Sequence, residues 1–222
     1  MKYRLFVPFI AMLVLLSACR NYQSPEFTRH YDDGRVKPKV ALVPVTYGEN
    51  FTYPWDLSKE LTEDIRQEVQ QQSILYLPNE SEFSQHLSLR SSDMVGPHSP
   101  LLKSLRQDHD FVVLVDLLEH SEEPYRGQSV KPVYTVYGEA VTVLKMALRV
   151  TIFDVRESIP KSILQEIVHS NHMISRDGAN TNYHKVIWKT DAYKISPFGL
   201  AHSRLSKEVA NRLNQYISVA RS

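Results

Sequence analysis

His169-x-x-His172 is the pair in this 222-residue chain whose types could most directly hold a metal ion. Neutral imidazole is a common metal ligand. The residues around the pair read as a strand, and on a strand residues three apart point to opposite faces. The two rings cannot share one ion without a bend, and no cysteine joins them. We expect no metal here and read both as surface or hairpin histidines. Asp116 interrupts the apolar run Phe111 to Leu118, with Glu119 and His120 just beyond. An acid at the exit of a central α/β strand stands where sites gather. The plainer reading is that the strand leaves the core there, or that the carboxylate caps a loop, and we adopt it. Ser58, Ser206 and the other serines lack a G-x-S-x-G setting. With 7 glycines and no G-x-G-x-x-G or G-K-[ST], there is no phosphate-cradling loop to propose. We expect no catalytic residue, no cofactor and no enzyme.

Tyr47, Phe51, Tyr53 and Trp55 crowd one loop. Exposed aromatics favour interfaces, so these four are the candidate partner-binding residues. The alternative is that the rings fold back as satellite core. Formal net charge is +1 and no long basic run occurs, so nothing in the electrostatics points to nucleic acid.

The chain opens with Lys2 and Arg4, an apolar run from Leu5 to Leu16, then Ser17-Ala18-Cys19. That is a signal-peptide layout, and the run is short of the ~20 residues that span a bilayer. Leu16-Ser17-Ala18-Cys19 resembles the lipobox of bacterial lipoproteins. The resemblance implies cleavage before Cys19 and a covalent lipid on its sulfur and new amine. Three acyl chains at roughly 0.8 kcal/mol per buried methylene make such an anchor effectively permanent. Cys19 is the only cysteine, so the mature chain forms no internal disulfide. Arg20 to Pro38, with its Asp32-Asp33-Gly34 turn signal, reads as a tether. The expected division is 1–18 signal peptide, 19–38 lipidated tether and 39–222 a single α/β periplasmic domain.

The elements follow from periodicity. Val40 to Val45 is short, β-branched and nearly all apolar, a strand buried on both faces. Leu57, Leu61, Ile65 and Val69 form one stripe on a helix that Asp56 caps. Ile74 to Leu77 reads as a second short strand, and Asn79 to Glu82 as the start of a helix near 83–89. Ser99-Pro100 opens another helix, and Phe111 to Leu118 is a central strand. Ser121 to Pro132 reads as a loop. From Val141 to Phe153, Leu144, Met146, Leu148, Val150 and Ile152 alternate with Lys145, Ala147, Arg149 and Thr151. That is a long strand with one buried face, and Ile163 to Ile174 is its antiparallel neighbour. Gly178 to His184 is loop. Ser196-Pro197 opens a last helix with Leu205, Val209, Leu213 and Ile217 inward. The expected fold is α/β (α+β): a mixed sheet with flanking helices, a long antiparallel hairpin and a C-terminal helix.

The lipobox, the Lys39-Val40-Ala41-Leu42-Val43-Pro44 strand, the Asp110-Phe111-Val112-Val113-Leu114-Val115 strand after a helix, and a hairpin whose first strand ends in Phe153-Asp154 together resemble a group of envelope proteins. The group contains the penicillin-binding-protein activator LpoB, the N-terminal domain of TolB and the periplasmic part of the curli secretion protein CsgG. The chain also looks like an uncharacterised lipoprotein family of chlamydiae. The likeness covers roughly residues 39 to 219. It departs from the pattern after Asp154, where Val155-Arg156-Glu157-Ser158 replaces the usual Thr-Gly. What the resemblance implies is a lipid-anchored, non-enzymatic protein at the periplasmic face of the outer membrane. Such a protein would bind an envelope protein partner in envelope assembly or cell-wall synthesis. The alternative is a subunit of an oligomeric secretion pore resembling CsgG, with the 141–153 strand in a transmembrane barrel.

Overall fold

The alternating run around Leu148 forms the centre of the molecule. A computed structural model describes residues 29–48, 53–78, 99–125, 134–135 and 138–221. The expected signal peptide, Cys19, Phe51 and the helix near 83–89 lie outside the described residues. In chain order the elements are β1 (Val40–Leu42), β2 (Thr46–Tyr47), α1 (Leu57–Gln72), α2 (Pro100–Leu105), β3 (Phe111–Pro124), β4 (Tyr134–Thr135), β5 (Gly138–Asp154), β6 (Lys161–Ser175), α3 (Arg176–Ala179), α4 (Asp191–Lys194) and α5 (Pro197–Arg221). The fold is α+β, as expected. β1 and β2 run parallel to β3, and β3 and β6 flank β5 antiparallel. β4 joins the start of β5.

Leu144, Met146, Leu148, Val150 and Ile152 share one face of β5 and are fully buried. α1 and α5 cover that face with Leu57, Leu61, Ile65, Val69, Leu205, Val209, Leu213 and Ile217. The opposite face is covered where β1 and β3 lie. There Leu101, Leu102 and Leu105 of α2 pack on Ala41, Val43, Val112, Leu114 and Phe153. Burial on both sides is why β1 and the first half of β3 read as continuous apolar runs.

The helix boundaries follow their signals. Asp56 accepts from the Lys59 amide at 3.1 Å, and α1 ends on Ser73 in the left-handed region at φ 57°. Ser196 Oγ accepts from the Gly199 amide at 3.2 Å, with Pro197 opening α5. Three expectations fail. Ile74 to Leu77 makes a single bridge from Tyr76 to Lys39 and no strand. Pro38 and Pro78 bracket that contact and lack the amide protons a ladder needs. The expected loop at Ser121 is strand as far as Pro124, because the long β5 carries its pairing that far. Gly178, expected in a loop, lies in the short helix α3, which Ser175 caps.

One irregularity positions the site. The register of β3 against β5 shifts between Leu117 and Glu119. Val113, Val115 and Leu117 are buried at period two, then Leu118 is exposed and His120 is buried. A bulge turns a strand's side chains to the opposite face, and here it turns His120 inward.

Candidate functional site

Under the sheet's covered face, five elements bring polar side chains into one line. Glu60 lies on the inner side of α1, one residue before Leu61, and is fully buried. His202 lies between Phe198 and Leu205 on the inner face of α5 and is fully buried. The bulge supplies His120, α4 supplies Tyr193, and the segment before α1 supplies Tyr53 and Trp55. Glu60 Oε1 accepts from His202 Nδ1 at 2.7 Å and from the Tyr193 hydroxyl. Its other oxygen accepts from the Trp55 indole N–H at 2.6 Å. His202 Nε2 meets His120 Nε2 at 2.8 Å, and His120 Nδ1 meets the Tyr53 hydroxyl.

A buried carboxylate is tolerated when donors surround it. Glu60 has three. Burial first, then Glu60, raises Tyr193 above its usual range, and burial with Glu122 and Glu60 raises Tyr53. Burial and then His202 hold His120 down to about 3.

The rings pack as well as bond. Trp55 stands edge-on to Tyr193 at 5.3 Å between centroids, and Tyr53 edge-on to His120 at 4.9 Å. Tyr53 and Trp55 therefore pack against the core cluster. Tyr47 is exposed, at 37%. The structure brings Tyr53 and Trp55 together and leaves Tyr47 apart from them.

A cleft of about 480 Å³ adjoins this cluster, lined by Glu63, Asp64, Glu68, Trp188, Lys189 and Tyr193. Lys189 Nζ pairs with Glu63 at 2.9 Å and lies 4.4 Å from the centroid of the Trp188 ring. Burial, then Glu60, pushes Asp64 up to about 7.

The other sequence candidates sit apart. Asp116 bonds Arg149 across the strand pair at 3.0 Å and accepts from Thr46, an ion pair on the sheet. His169 pairs in register with Ala147 and His172 with Leu144. Residues opposite each other in a ladder share a face, so the two imidazoles point to opposite sides of β6. Among the described residues no group of three or more His, Cys, Asp or Glu side chains is placed to hold a metal ion. Among them, too, no helix is long and apolar enough to cross a membrane.

Sequence reasoning passed over Glu60, His202 and Tyr193. Glu60 and His202 carried a signal: each lies inside an apolar stripe at helical spacing, where a charged or polar residue needs a buried partner. Tyr193 had none, since α4 is a single turn.

Comparison with known proteins places the fold. The hypothetical protein CT253 from Chlamydia trachomatis is 23% identical, with a TM-score of 0.61 over 82% of this chain and 98% of that one. Lipoprotein GNA1162 from Neisseria meningitidis is 16% identical, with a TM-score of 0.40 over 83% and 99%. The rare lipoprotein B from Shewanella oneidensis is 10% identical, with a TM-score of 0.32 over 82% and 96%. The first likeness shows a shared fold, and the two at lower TM-score add nothing to it. No curated protein matches the chain. The sequence profile of DUF7499, a family of unknown function, matches residues 26–221. The chain belongs to that family.

Proposed function

We propose that this chain is a lipid-anchored protein of the cell envelope that binds a protein partner and catalyses no reaction. The anchor reading rests on Leu16-Ser17-Ala18-Cys19 after two cations and an apolar run. The observation that carries the non-enzymatic reading is the closure of the polar cluster. Both oxygens of Glu60 and all four ring nitrogens of His120 and His202 already hold protein partners. Glu60 and His202 are 0% exposed and His120 6%, so no reacting atom of a substrate comes within hydrogen-bond reach. The pore alternative would turn the apolar face of β5 towards lipid. In this fold α1 and α5 occupy that face.

Among the described members of the aromatic group Tyr47 is the exposed one, so it is the position to test. A photo-reactive side chain at position 47, activated in intact cells, is expected to yield one discrete adduct with another envelope protein. A smear, or no adduct in a chain that is folded and membrane-bound, removes the partner reading at this surface.

A further inference from the structure

The buried line of contacts can hold its protons in few ways. His120 and His202 face each other Nε2 to Nε2 at 2.8 Å, so a hydrogen bond there needs one shared proton. With Glu60 accepting from His202 Nδ1–H, the one proton between the two Nε2 atoms can sit on either ring. When His202 carries it, His120 Nε2 is the acceptor and His120 Nδ1–H donates to the Tyr53 hydroxyl oxygen. In this arrangement Trp55, Tyr193 and His202 all donate to Glu60, and His202 also donates to His120. A proton added to His120 then has only Nε2 to go to. There it sets two N–H groups against one another, and the contact must part.

We propose that this line is an acid-operated latch. Closed, with His120 neutral, it pins the Tyr53–Trp55 segment and α4 onto α1 and α5. Protonation of His120 opens it. The latch rests on the hydrogen-bond geometry of the two imidazoles. That its opening frees Tyr53 and Trp55 for a partner rests on the partner reading above.

The sign follows from where the proton is welcome. Burial first, then His202, lower His120 in the closed form from 6.5 to about 3, while an exposed ring keeps the ordinary value. The open form therefore binds more protons between these limits. The latch is at full strength above 6.5 and weakens as pH falls towards 3, with the open-to-closed ratio rising up to about tenfold per unit.

The surrounding groups act in the same direction or stand aside. Asp64 on α1, raised to about 7, is neutral in acid and offers an added cation no counter-charge. Arg204 on α5 already disfavours a proton on His172 of β6, whose own value burial lowers first. Glu122 on β3, raised by burial, faces Tyr53 and Tyr183 rather than the imidazoles.

The test is amide hydrogen exchange on the full chain from about pH 7.5 to about pH 4.5, corrected for the intrinsic pH dependence of exchange. Segments 53–60 and 191–203 are expected to lose protection by up to about tenfold per unit below 6.5, while 144–152 in β5 stays protected. His120→Gln should abolish that slope and His172→Gln should keep it. Flat protection in the wild-type chain overturns the latch. So does a parallel loss in β5, which is whole-domain unfolding, or a slope that vanishes in His172→Gln or persists in a folded His120→Gln. If His120→Gln does not fold, the wild-type and His172→Gln arms decide.

Discussion

Glu60 sets the terms for every side chain around it. Its carboxylate is fully buried and receives the His202 ring, the Tyr193 hydroxyl and the Trp55 indole. Removing one member of a buried, charge-assisted set leaves the others unpaired, which costs about 3–5 kcal/mol. Glu60→Ala is expected to lose that much in urea unfolding. Glu60→Gln keeps one acceptor oxygen and should lose about 2 kcal/mol, near one hydrogen bond to a charged group. Equal, small losses in both variants would mean the cluster is not coupled to folding. Tyr53 and Trp55 share this fate, since each donates into the cluster or packs on its rings. The sequence pattern hinted at Glu60 and His202 but could not pair them: they lie 142 positions apart, and only the packing of α1 on α5 brings them together.

At the scale of elements, the legible parts were those with a period and a cap. The stripe of α1, the Ser196-Pro197 start of α5 and the alternation of β5 each stand where their residues predict. The bulge in β3 was not legible. Strict alternation from Val113 places Glu119 inward and His120 outward, and one extra residue reverses that. No local residue type marks the shift, because the pairing with β5 determines it. The contact of α4 with α5 was equally hidden. A Cβ added to Gly199 would come within 2.0 Å of the Tyr193 carbonyl oxygen. That close approach of backbones is what lets the Tyr193 hydroxyl reach Glu60. Gly199→Ala must push α4 away and is expected to destabilise by about 3 kcal/mol, the upper range for overpacking. The loss should come with altered near-ultraviolet circular dichroism from the Trp55–Tyr193 pair. Unchanged stability and spectrum would show that α4 moves freely and does not hold the cluster.

Across the whole molecule the structure has two ends with different character. Tyr31 donates to the Ile74 carbonyl at 2.8 Å, Lys37 to Ser73 at 2.9 Å, and Arg221 to the Val36 carbonyl at 2.6 Å. These bonds strap residues 31–37 to the end where α1 and α5 finish. Tyr53, Trp55, His120 and Tyr193 lie at the other end, where both helices begin. In sequence, the strapped residues 31–37 are the described segment that follows a lipid on Cys19, and the aromatic cluster lies at the opposite end of both helices. The function proposed for the chain depends on one modification. Mass spectrometry of the N-terminal peptide from the membrane fraction tests it most directly. The account predicts a chain that begins at Cys19, with a diacylglyceryl group on sulfur and an acyl group on the amine. A chain recovered with Cys19 unmodified, or with its first residue elsewhere, would contradict it.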